Sequence, residues 1–124
     1  NMNNQNKNII NDLAFIYIHF CSSTDHLLSF DEINLIGKKI NDAINSDEDN
    51  YKETFRVISE IIISYNRSDI SARQKNYNKV IYRLKDVLSD HQKELTLINL
   101  KELSIIDGVN KEEVDFINFL NSQW

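Results

Sequence analysis

Two stretches of this chain gather oxygen-bearing side chains closely enough to do chemistry. Residues 25–33 read Asp-His-Leu-Leu-Ser-Phe-Asp-Glu-Ile, and residues 105–117 read Ile-Ile-Asp-Gly-Val-Asn-Lys-Glu-Glu-Val-Asp-Phe-Ile. Asp107-Gly108 is a strong turn signal, because Gly tolerates positive φ and Asp can bond its own turn backbone. Asn110, Glu112, Glu113 and Asp115 then place an amide and several carboxylates at a helix start. Oxygen-rich turns of this kind can hold a hard cation such as Ca²⁺ or Mg²⁺. The calcium-loop alternation of Asp and Asn with a terminal Glu is absent, and helix capping accounts for the acids of either turn taken singly.

Other chemistry finds less support. His19, His26 and His91 lack the i, i+4 spacing of a zinc helix, and Cys21 has no second cysteine to join it. His26 stands beside Asp25 and is placed to contribute to a site there. There is no Gly-x-Ser-x-Gly elbow, no glycine-rich phosphate loop and no Cys–His pairing, so the residues select no enzyme and no organic cofactor. Lys75, Lys79 and Arg83 are spaced by four, with Arg73 and Lys85 flanking and Tyr77 and Tyr82 interleaved. Such a ridge suits a nucleic-acid backbone, but the net charge of −5 favours a solvated face opposed by acids such as Glu53, Glu60 or Asp86. Trp124, a large apolar side chain at the end, must pack on its own bundle or on a second subunit.

These residues need elements to hold them, and the elements read as helices. Hydrophobic residues make up 41% and charged residues 27%, which is globular. Only Gly37 and Gly108 are glycines and proline is absent, whereas a β-rich fold recruits both for its turns. After a polar tail at residues 1–7, a first helix from Asn8 to near Cys21 carries Ile9, Leu13, Ile16, Tyr17 and Phe20 at helical spacing. Ser29 with Glu32 forms a capping box for a second helix burying Ile33, Ile36, Ile40 and Ile44. Ser46, Asp47, Glu48 and Asp49 open a third, with Tyr51, Phe55, Ile58, Ile62 and Tyr65 inward. A fourth runs from Ile70 to Leu88 with Tyr77, Val80, Ile81, Leu84 and Leu88 inward. Ser89 with Gln92 caps a fifth, burying Leu95, Ile98, Leu103 and Ile106. Asn110 with Glu113 caps the last, where Val114, Ile117, Leu120 and Trp124 pack. The expectation is an all-α bundle of about six helices in a single domain over residues 8–124.

The two acidic turns can be laid over one another as a weak internal repeat: a helix ends, an Asp begins a tight turn, an aliphatic residue (Val109 in the second copy) tucks under, and a capped acidic helix starts. At this point the chain resembles the TerB-like tellurite-resistance family. Phe15-Ile16-Tyr17-Ile18, Asp25 and Ser29-Phe30-Asp31-Glu32-Ile33 resemble its first half, and the segment from Ile105 to Ile117 resembles its second, over most of residues 9–121. The resemblance implies a small acidic all-helical cytoplasmic bacterial protein tied to tellurite or other stress responses. It also implies a divalent-cation site near Asp25, Glu32, Asp107 and Glu113. The first turn departs from the family pattern by carrying His26-Leu27-Leu28 where Gly and a shorter turn are usual.

The functional expectation is thus a non-enzymatic module that binds a cation or a protein partner through its paired acidic turns. The alternative is an adaptor acting through a protein or homodimer interface without metal. An unrecognised hydrolase would need a pocket holding several of these carboxylates between apolar walls. The lone cysteine, the polar N-terminus without a signal peptide and the lack of a membrane-length apolar run make cytoplasm the default. Asn1 ahead of Met2 reads as a cloning remnant.

Overall fold

Helix α1 is apolar on every side, and that decides where it goes. The computed structural model describes residues 4–23, 28–44, 51–106 and 108–124. Over Asn4–Ser23, α1 buries Ile9 and Ile10 and then every residue from Leu13 to Cys21, so its second half leaves no face for solvent. It is the central helix. Around it pack α2 (Phe30–Ala43), α3 (Tyr51–Arg67), α4 (Ile70–Val87) and α6 (Lys111–Gln123), while α5 (Asp90–Ile106) packs on α2 and α6. The chain is an all-α bundle of six helices, and no strand occurs among the described residues.

The helix α1 begins four residues before the hydrophobic spacing places it, because Asn4 to Lys7 continue the turn although only Ile9 onward is buried. The stripe read from the sequence is also too narrow, since Ile10, Phe15 and Ile18 are buried as well.

The caps follow the sequence closely. In α2 the Ser29 hydroxyl accepts from the Glu32 amide at 3.1 Å, and the Glu32 carboxylate accepts from the Ser29 amide at 3.3 Å. In α5 the Gln92 amide donates to Ser29-like Ser89 at 3.1 Å, and the Gln92 side chain returns to the Ser89 amide at 2.9 Å. Asp69 caps α4 by accepting from the Ala72 amide at 2.7 Å. The acidic opening of α3 expected at residues 46–49 lies outside the described residues.

Facing positions are right for α4, where Tyr77, Val80, Ile81, Leu84 and Leu88 are all buried. In α5 the expected stripe is rotated. Thr96, Asn99, Leu100, Leu103 and Ser104 are buried, whereas Ile98 is 41% exposed. In α6 Ile117 and Leu120 are buried, but Val114 is 41% exposed. Polar links tie the layers together: Asn99 donates to the buried Tyr17 hydroxyl at 3.1 Å, and Lys39 bridges Asn99 and Glu102. Trp124 closes the bundle by docking on its own chain, with its indole N–H on the Ile81 carbonyl at 3.4 Å.

Candidate functional site

The second acidic turn is the better defined. Gly108 has φ of 85°, a left-handed conformation that L side chains rarely adopt, and its amide donates to the Ile105 carbonyl at 3.3 Å. The chain thereby leaves α5 and re-enters helix at Asn110. Asn110 accepts from the Glu113 amide at 2.9 Å, and its own amide donates to Glu113 Oε1 at 3.1 Å. This is the same reciprocal box as Ser29 with Glu32, so the two helix starts share their capping chemistry. They differ in burial: Glu113 is fully buried, whereas Glu32 is half-buried. Glu112 and Asp115 are exposed, with Lys111 at 4.0 Å from Asp115.

Asp25, His26 and Asp107 lie outside the described residues. Of the four candidate ligands, Glu32 and Glu113 are therefore located, and each turns a carboxylate oxygen back onto its own helix start. Among the described residues no three His, Cys, Asp or Glu side chains come together as a metal-binding group.

Beside the second turn a groove of about 270 Å³ runs between α5 and α6, lined by Lys101, Ser104, Ile105, Val109, Val114, Ile117 and Asn118. Its apolar wall faces solvent: Ile105 is 67% and Val109 57% exposed. Sequence reasoning missed this surface because it assigned Val114 to the core and tucked Val109 under the turn, whereas both are exposed. The available signal was an excess of aliphatic residues around α5, more than one buried face can take.

A larger cleft of about 840 Å³ lies between the start of α1 and the end of α4. Asn8, Asn11, Asp86 and the pair Asp12–Arg83 line it together with the apolar Ile9, Tyr82 and Val87. That pair is bidentate, with Arg83 Nε and a terminal nitrogen donating to the two Asp12 oxygens at 3.0 and 2.9 Å. It corrects the reading of the basic ridge, whose Arg83 is held by Asp12 of α1 rather than by Glu53, Glu60 or Asp86. Glu53 instead faces Arg56 and Lys7. Arg73 leaves the ridge as well, lying over the Tyr65 ring at 4.3 Å.

His19 is buried inside an aromatic cluster formed by Phe15, Tyr65, Tyr77 and Phe116. Its Nδ1 shares a hydrogen bond of 2.7 Å with the Tyr65 hydroxyl. Burial, with the Arg73 charge adding to it, lowers the His19 pKa to about 4, so the ring is neutral at pH 7. The Tyr77 hydroxyl is buried with no hydrogen-bond partner among the described residues, and burial raises its pKa. His91 is exposed, and Cys21 is buried in the core. No described helix is long and apolar enough to cross a membrane.

No family model, curated protein or solved structure matches this chain.

Proposed function

We propose that the chain is a non-enzymatic, TerB-like helical module that binds a protein partner at the α5–α6 edge, beside the second acidic turn. One observation carries the reading: Ile105, Val109 and Val114 stand exposed together along one groove. Scattered apolar residues on a surface need no explanation, but a contiguous set rimmed by polar side chains is what an interaction site presents. Lys101 and Asn118 supply that rim. The tie to the TerB-like family rests on the Asp-Gly turn and the capped acidic helix that follow Ile105 in sequence.

Replacing Val109 and Val114 by Asp tests this. Both are solvent-facing, so the double variant keeps the fold and a melting temperature within about 3 °C of wild type. Wild type binds the apolar probe 8-anilinonaphthalene-1-sulfonate in its native state, and the variant loses most of that binding. Equal binding by the two proteins would refute the site.

A second reading, a divalent cation at the acidic turns, draws support from the full burial of Glu113 next to the Asp107 turn. Calorimetry with Ca²⁺, Mg²⁺ and Mn²⁺ on wild type and Asp107→Ala decides it. This reading requires metal-dependent heat that the variant lacks, and silence in wild type would end it.

A further inference from the structure

The outward face of α5 carries a charge pattern that is its own complement. At about 100° per residue, His91, Glu94, Ile98, Lys101 and Ile105 fall on one side of the helix. Their steps alternate between three and four residues, the seam spacing of a coiled coil. All five are exposed, while Thr96, Asn99, Leu100 and Leu103 point the other way into the bundle. Neither Glu94 nor Lys101 makes an ion pair among the described residues, although nearby Glu102 is held by Lys39. Ile98 lies between these two opposite charges and is 41% exposed.

We propose that α5 pairs antiparallel with α5 of a second copy of this chain, about a two-fold axis between Leu97 and Ile98. In that register Glu94 meets the second copy's Lys101, and Lys101 meets the second copy's Glu94. The two Ile98 side chains pack on each other at the axis, and Ile105 lies against the second copy's His91 ring. A parallel pairing would set Glu94 against Glu94 and Lys101 against Lys101, so the charges select the antiparallel one. The order acid, isoleucine, base reverses onto itself under a two-fold rotation, which is the property an isologous interface needs. An unrelated partner has no such requirement. The seam shares Lys101 and Ile105 with the partner groove but goes beyond it, because His91, Glu94 and Ile98 belong to the seam alone and Val109 and Val114 take no part in it. With a small apolar centre and exposed ion pairs, the dimer is weak, with a Kd on the order of 10–100 μM.

Sedimentation velocity of the full chain between about 5 and 500 μM tests the pairing. Wild type sediments as a monomer at the low end and as a dimer at the high end, and added salt weakens the association. E94K and K101E each replace two attractions by two repulsions and weaken it by about tenfold. The double variant E94K/K101E remakes both pairs and returns the affinity to within about threefold of wild type. On oxidation, I98C forms a disulfide-linked dimer across the axis, while V114C does not. A wild-type monomer at every concentration overturns the pairing and leaves the partner groove to its own test. A dimer indifferent to E94K and K101E, or one the double variant does not restore, also overturns it. A dimer lost only in the Val109 and Val114 variant would place the second copy in the groove instead, and again overturn this register.

Discussion

At the residue scale, the two capping carboxylates look alike in sequence and differ in consequence. Glu113 is fully buried, so replacing it by Ala removes packed side-chain atoms as well as the acceptor of the Asn110 amide. Glu32 caps a half-exposed start where water can replace it. Glu113→Ala is expected to cost about 1–2 kcal/mol and Glu32→Ala about 0.5 kcal/mol, read from urea midpoints. Tyr77→Phe removes a buried hydroxyl that has no partner, and the expected result is a stability unchanged or raised by up to about 1 kcal/mol. His19 sets a pH dependence. Its pKa falls from 6.5 to about 4 on folding, so the unfolded chain takes the proton first. The stability due to a neutral ring is complete above pH 6.5 and is lost as pH falls towards 4. Urea melts at pH 7 and pH 4.5 should show His19→Phe losing about 1–2 kcal/mol less than wild type over that interval.

At the element scale, the helices differ in how much of them could be read in advance. Serine-glutamate, serine-glutamine and asparagine-glutamate pairs at a spacing of three located the starts of α2, α5 and α6, because a capping box is chemistry between near neighbours. The inward face of α4 was legible because Tyr77, Val80, Ile81, Leu84 and Leu88 recur at helical spacing among mostly polar residues. The face of α5 was not, since Leu97, Ile98, Leu100 and Ile105 surround the helix and periodicity cannot say which side meets the bundle. Thr96, Asn99 and Ser104 turn inward, where Asn99 satisfies Tyr17 across more than 80 residues of sequence, a match no local pattern encodes. The partner groove was hidden for the same reason, and the Asp25 and Asp107 candidates fall outside the described residues. The two glycines separate on the same grounds. In the interior of α2 a methyl group at Gly37 would meet Ile58 at 3.4 Å, ordinary contact, so Gly37→Ala should stabilise by about 0.5–1 kcal/mol. At Gly108, with φ of 85°, the same change should destabilise by about 1 kcal/mol in the same urea melts.

At the scale of the whole molecule, the bundle divides into a closed part and an open edge. The closed part is α1 wrapped by α2, α3, α4 and α6, sealed by Trp124 on Ile81. The open edge is the α5–α6 hairpin, where Ile98, Ile105, Val109 and Val114 remain in solvent, while Phe30, Ile63, Ile70 and Tyr82 are single exposures on the other helices. The cleft between α1 and α4 and the groove between α5 and α6 differ in what spans them. The larger one, between α1 and α4, is spanned by a satisfied Asp12–Arg83 pair, whereas the smaller one offers Ile105, Val109 and Val114. Amide chemical-shift mapping of 8-anilinonaphthalene-1-sulfonate on the native chain tests the choice most directly. The expected result is a cluster of the largest shifts at Lys101, Ser104, Val109, Val114 and Asn118. Shifts centred instead on Asn8, Asp12 and Tyr82, or none at all, would contradict the assignment of the α5–α6 edge as the working surface.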